Sequence, residues 1–122
     1  MTKERLDLGR CGEELASVAL ERAGYRKICA NYRCRLGEID LIATEGGVLV
    51  FIEIKTRKGC PSAAAKEAVN HRKQRQITKA ALNYMKTNGC LDKKARFDVV
   101  AIGLGEDGPD IEIIRNAFDA AY

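Results

Sequence analysis

The chain has 122 residues, a formal net charge of +4, and 46% hydrophobic against 31% charged residues. That is the composition of a single globular domain over residues 1–122, and it excludes an intrinsically disordered chain. No apolar run approaches the ~20 residues that a bilayer-spanning helix needs. The charged segment Met1–Arg10 also lacks the apolar stretch of a signal peptide, so the expectation is a cytoplasmic protein without membrane contact.

The first predicted element is a helix over Leu8–Ala23, with Leu15, Val18, Ala19 and Arg22 at helical spacing and Gly24 as its stop. Tyr25–Arg33 reads as a strand, with Tyr25, Ile28 and Tyr32 as β-formers. A second strand follows Gly37 over Glu38–Ala43. The turn Thr44-Glu45-Gly46-Gly47 then leads into Val48–Lys55, the most hydrophobic stretch of the chain and the expected central strand. Residues 56–65 are predicted to be irregular. A basic helix is expected over Lys66–Thr87, with the apolar stripe Ile77, Ala80, Ala81 and Tyr84 and a stop at Asn88-Gly89. Arg96–Gly103 and Ile111–Arg115 are strands around a turn at Glu106–Asp110. The order is αβββαββ, an α/β fold with a mixed sheet flanked by helices, in which the second helix returns the chain parallel to a neighbouring strand.

Five cysteines (Cys11, Cys29, Cys34, Cys60 and Cys90) show no C-x-x-C spacing, and reduced, buried thiols are expected. His71, the single histidine, cannot build a zinc site alone and is expected on the surface. Tyr32 and Tyr84 are expected to pack in or near the core. No phosphate-binding glycine loop, dinucleotide fingerprint or nucleophile elbow occurs.

Chemistry is indicated where charges interrupt apolar strands. Alternation along Val48–Lys55 puts Leu49, Phe51, Glu53 and Lys55 on one face, and along the partner strand it groups Glu38, Asp40 and Ile42. Two carboxylates and an amine then converge at the open end of the hairpin, away from the Gly46-Gly47 turn. Ionised groups at a strand end are costly unless paired or bound to a cation. A plain lysine–carboxylate ion pair is one reading of the set. The other is a Mg²⁺ or Mn²⁺ site on Asp40 and Glu53, with Lys55 positioning water or stabilising a phosphoryl transition state. Basic residues crowd into Arg33–Arg35, Lys55–Lys58 and Lys66–Lys79, which suits a polyanionic partner. Phosphate contacts are expected from Arg33, Arg35, Arg57 and Lys58, and from Arg72, Arg75 and Lys79 on one face of the second helix.

The D-x12-E-x-K pattern on a hairpin resembles the motif of the PD-(D/E)XK nuclease superfamily, which includes restriction endonucleases and archaeal Holliday-junction resolvases. More closely, the chain resembles the YraN-like family of bacterial proteins. The matching stretches are G-x-x-G-E-x-x-A at Gly9–Ala16, N-x-R at Asn31–Arg33, GEIDLIA at Gly37–Ala43, FIEIKTR at Phe51–Arg57, RFDVV at Arg96–Val100 and NAF at Asn116–Phe118. FIEIK stands where FVEVK is more usual. The resemblance implies a restriction-endonuclease-like core, with Asp40, Glu53 and the Ile54 backbone carbonyl as metal ligands and Lys55 as the catalytic lysine. It further implies a helix carboxylate at Glu13 facing the site, and a basic residue at Lys73 among the nucleic-acid contacts. Glu38, two residues from Asp40, is a candidate for a supporting role or a second metal.

The leading expectation is therefore a Mg²⁺- or Mn²⁺-dependent endonuclease acting on DNA, with branched or damaged DNA suggested by analogy to resolvases. Two alternatives stand beside it: a nucleic-acid-binding module without cleavage of its own, and a protein-interaction adaptor. Junction cutting would call for a homodimer.

Overall fold

The computed structural model describes residues 3–59 and 69–121, with side chains from residue 11 onward. Its elements are α1 (Lys3–Arg22), β1 (Arg26–Cys34), β2 (Gly37–Glu45), β3 (Val48–Lys58), α2 (His71–Thr87), β4 (Ala95–Gly105) and β5 (Gly108–Phe118). The five strands form one mixed sheet in the order β1-β2-β3-β4-β5. β3 and β4 are parallel and all other neighbours antiparallel, so α2 carries the crossover, as expected for an αβββαββ chain of the restriction-endonuclease-like kind. No helix among the described residues is long and apolar enough to cross a membrane.

Glycine sets the corners. Gly24 (φ 100°) ends α1 and Gly89 (φ 64°) ends α2. In each case the next N–H reaches back five residues, Tyr25 to the Leu20 carbonyl at 3.0 Å and Cys90 to the Met85 carbonyl at 2.9 Å, which is the Schellman arrangement.

The sheet has a core on each face. Ile39, Ile42, Leu49, Phe51 and Phe97 pack under Ile77, Ala80, Ala81 and Met85 of α2. Leu41, Ala43, Val50, Ile52, Val100 and Ile102 pack under Ala16 and Leu20 of α1. Tyr32 and Tyr84 meet edge to face at 5.3 Å beside the α2 core, so both are packing residues.

Several boundaries and faces differ from the sequence reading. α1 starts at Lys3 and not at Leu8, because residues 3–8 are mostly strong helix formers and Gly9 is tolerated inside. From residue 11 onward its buried positions are Gly12, Ala16 and Leu20, while Val18 is exposed. The start of the basic helix at Lys66 falls outside the described residues; Val69 and Asn70 are not helical, and the Asn70 side chain caps α2 by accepting the Lys73 N–H at 2.9 Å. β3 runs on through Thr56 to Lys58, so Arg57 and Lys58 lie on a strand end. β5 begins at Gly108, leaving Glu106 and Asp107 as a tight two-residue turn. Among the described cysteines only Cys90 is buried; Cys11 is exposed, Cys29 and Cys34 are half-buried, all four are free, and Cys60 lies outside the described residues.

At the Gly46-Gly47 end, a polar network ties strands together. Asp98, fully buried, accepts from Tyr25 Oη at 2.7 Å, Arg96 Nε at 2.9 Å and the Asn116 N–H at 2.9 Å. Arg96 also binds Glu45, whose carboxylate takes the Arg115 fork at 2.8 and 2.6 Å. These arginines hold Glu45 well down, to about 2, whereas burial and then the Asp98 hydrogen bond push the Tyr25 phenol up to about 12.

α1 meets β3 without clearance at one point: a Cβ on Gly12 would lie 2.1 Å from Thr56 Oγ1. Gly12→Ala should lower stability by about 1–2 kcal/mol, since overpacking outweighs the gain in helix propensity. Thermal or urea unfolding of Gly12→Ala beside Gly12→Ala/Thr56→Ala checks this, with the double variant expected to recover most of the loss. A Gly12→Ala protein as stable as the wild type would refute the close approach.

Candidate functional site

The β2–β3 ladder runs from Glu45↔Val48 to Leu41↔Ile52 and stops there. At the next step Asp40 replaces backbone pairing with its side chain, whose Oδ2 accepts the Ile54 N–H at 2.8 Å. Regular alternation breaks at this point: Ile39 and Ile42 both join the α2 core, whereas Leu41 joins the α1 core. The expected common face of Glu38, Asp40 and Ile42 is therefore not kept. β2 turns away from β3 and opens a notch between the strands at the position of Asp40.

Glu53 is buried on β3, 5% exposed, with its carboxyl within reach of the charge of Asp40. Burial, then the charge of Asp40, pushes Glu53 up to about 8; burial also raises Asp40, opposed by the Ile54 N–H. Two acids held this close disfavour each other's ionisation. Lys55, half-buried two residues along β3, and Lys73, on the first turn of α2, both act on Glu53 through their charge. Lys73 Nζ lies 4.0 Å from Glu53 Oε2. An extended residue sends its N–H and C=O to the same side, so the Ile54 carbonyl also faces the β2 side.

The other buried acid shows what structural burial looks like in this sheet. Asp98 is met by a hydroxyl, an arginine and a backbone N–H, a full complement of donors. Glu53 is met by another carboxyl and an ammonium at 4.0 Å.

The remaining expected residues surround this notch in different ways. Glu13 is exposed on α1 and lines a groove together with Asp40 and Ile54. Glu38 is exposed and pairs with its cross-strand neighbour Arg33 at 3.3 Å, although its charge still raises Asp40. Among the described residues no group of three or more acidic, histidine or cysteine side chains is placed to hold a metal, so Glu13 and Glu38 stand apart from the Asp40–Glu53 pair. Arg35 sits on the exposed β1–β2 turn, which rests on α2 where Gly37 approaches the Gln76 carbonyl. Arg72, Arg75 and Lys79 are exposed on α2, as is His71, and Arg57 and Lys58 are exposed at the end of β3. The cations thus gather on the α2 side and at the notch end. α1 presents the exposed acids Glu13, Glu14 and Glu21 on the opposite side.

From the sequence, Lys73 is legible only as a nucleic-acid contact implied by the resemblance; its contact with Glu53 depends on the crossover that brings the start of α2 against β3. One local signal did point to it. Lysine stands three residues after an asparagine cap, where a capping box takes Glu or Gln.

Glu53 has a higher pKa folded than unfolded, so the native state holds an extra proton between the ordinary 4.5 and about 8. Stability in EDTA should therefore fall as pH rises through that window. Melting curves from pH 5 to 8 should show the decline in wild type and a flatter profile in Glu53→Gln. Added Mn²⁺ should stabilise wild type more at pH 8 than at pH 5. An unchanged slope in Glu53→Gln would assign the pH dependence elsewhere.

The model of the family described as "Uncharacterised protein family UPF0102" matches residues 12–102, which include Glu13, Asp40, Glu53, Lys55 and Lys73. A UPF0102 protein of Geobacter sulfurreducens is 52% identical over 116 residues, covering 94% of this chain and 91% of its own. One from Geobacter metallireducens is 45% identical over the full length of both chains. One from Rhodococcus jostii is 46% identical over 93% of this chain and 97% of its own.

Proposed function

The chain belongs to the UPF0102 family, the YraN-like family of the sequence reading, and from its notch of paired acids we propose that it is a metal-dependent endonuclease that hydrolyses phosphodiester bonds in DNA. The observation that carries this reading is the Asp40–Glu53 pair: a half-buried and a buried carboxyl brought together where the β2–β3 ladder ends, flanked by Lys55 and Lys73. Stability alone does not select such a pair, because like charges close together disfavour each other and burial disfavours both.

The donors suit a hard divalent cation. Two carboxylates and the Ile54 carbonyl offer oxygen only, and Mg²⁺ or Mn²⁺ completes its shell with water and substrate phosphate. The absence of a third acidic, histidine or cysteine ligand among the described residues fits that mode better than a zinc cage. Bound there, the cation would neutralise charge on the scissile phosphate and lower the pKa of the attacking water.

The chain's own residues supply the rest. Asp40, fixed by the Ile54 N–H, and Glu53, fixed by burial, hold the cation at the notch. Lys55, on the same strand, faces the charge that builds on the phosphoryl oxygens and holds the water through its ammonium. Arg33, Arg35, Arg57, Lys58, Arg72, Arg75 and Lys79 grip phosphates along the α2 side without reading bases. Branched or damaged DNA is the substrate to which the likeness to resolvases points, and cutting both strands of a junction would require two copies of the chain.

Cleavage of labelled single-stranded, duplex, flap and four-way-junction DNA with Mg²⁺, Mn²⁺ or EDTA tests the reading. The expected result is metal-dependent cutting that drops about 10²–10³-fold in Asp40→Asn and Lys55→Ala, the scale of losing one electrostatic stabiliser. Salt-sensitive DNA binding with no cutting of any substrate would favour a binding module instead.

A further inference from the structure

The first turn of α2 runs against helix electrostatics. It carries no acidic residue, and His71, Arg72 and Lys73 follow the Asn70 cap at the end where the dipole favours negative charge. Lys73 stands where a capping box would put glutamate, its own N–H bonded to Asn70 Oδ1 at 2.9 Å. Core packing gives no reason for it either, since its side chain is 30% exposed. What its ammonium does meet is Glu53 Oε2, 4.0 Å away, and that carboxylate is 6% exposed. A buried acid in contact with a second acid needs a counter-ion, and in the free protein Lys73 supplies one.

Resting on the nuclease reading above, we infer that Lys73 is an exchangeable counter-ion, which neutralises the Asp40–Glu53 pair in the free protein, leaves it when a divalent cation binds there, and then holds a phosphate of the DNA strand. An ammonium and a divalent cation repel each other across a shared carboxylate, so arrival of one favours departure of the other. Lysine suits the exchange, because its flexible stem carries a compact charge that can move several ångströms without rebuilding the helix. Its destination is prepared: a helix N-terminus favours phosphate, and Arg72 and Arg75 are exposed beside it. Lys73 is thereby distinct from Lys55, which stays on the strand with the reacting centre. The exchange also couples metal binding to substrate binding, because the cation frees the residue that grips the strand.

Two titrations of the full-length chain test this. Calorimetric titration with Mn²⁺ alone should show Lys73→Met binding about fivefold tighter than wild type, the scale of a partly exposed ion pair, with Lys73→Arg between them. Anisotropy with a labelled phosphorothioate duplex, which resists cleavage, should show Lys73→Met about fivefold weaker in saturating Mn²⁺, with a salt slope lower by about one. In EDTA, where Lys73 is held by Glu53, the same variant should bind the duplex like wild type. Melting curves of both variants establish that each is folded. Unchanged Mn²⁺ affinity in Lys73→Met, or an equal loss of duplex binding with and without Mn²⁺, would overturn the exchange while leaving the cation site standing. A wild type that binds no Mn²⁺ would overturn the cation site and the exchange together.

Discussion

Burying the Glu53 carboxylate midway along a central strand, where the β2–β3 ladder ends, is the constraint around which the surrounding structure is arranged. Glu53 sits one residue beyond the last β2–β3 pair, in a strand otherwise filled by Leu49, Val50, Phe51 and Ile52. Continued pairing there would bring a second backbone to Glu53. Instead β2 departs, and the Asp40 carboxylate closes the gap by accepting the Ile54 N–H. The result is a notch with two acids, a backbone edge and two lysines. It lies partway along the parallel strands β3 and β4, level with the Glu53↔Val99 pair, on the edge of β3 that β2 leaves free.

The sheet carries two polar clusters that differ in how completely they are satisfied. Toward the Gly46-Gly47 end, Asp98, Arg96, Glu45, Arg115 and Tyr25 satisfy one another with short hydrogen bonds that join β2, β4, β5 and the segment between α1 and β1. Such a network resists disruption, because removal of one partner leaves another charge buried alone. One register step beyond the Ile52↔Asp98 pair, Glu53 faces a second acid. The same sheet thus holds a finished cluster and an unfinished one, and the unfinished one carries the proposed function.

How much could be read from the sequence follows from which interactions are local. The Gly46-Gly47 hairpin, the glycine stops of both helices and the apolar stripe of α2 depend on neighbours within a few residues, and all were legible. The oddity of Glu53 in an apolar run was equally visible. Asp98 shows the same oddity in RFDVV and turned out to be structural, so the sign alone does not separate a site from a network; the donors around it do, and Tyr25 and Asn116 come from distant segments. The break of β2 at Asp40 escaped the period-two pattern, since a strand that changes neighbours mid-course keeps its β-formers. The Lys73–Glu53 contact spans a crossover connection and had no pattern of its own beyond an unexpected residue after a cap.

Charge completes the arrangement. Cations on α2, on the β1–β2 turn and at the end of β3 surround one side of the notch, and the exposed acids of α1 oppose them on the other. This charge distribution favours approach of the proposed polyanion from the side from which Lys73 reaches Glu53. The central claim is that Asp40 and Glu53 together form a divalent cation site. Anomalous X-ray scattering from crystals grown with Mn²⁺ tests it most directly: the account predicts a peak within coordination distance of both carboxylates, lost in Asp40→Asn. A notch without Mn²⁺ at saturating concentration, with Lys73 still against Glu53, would contradict it.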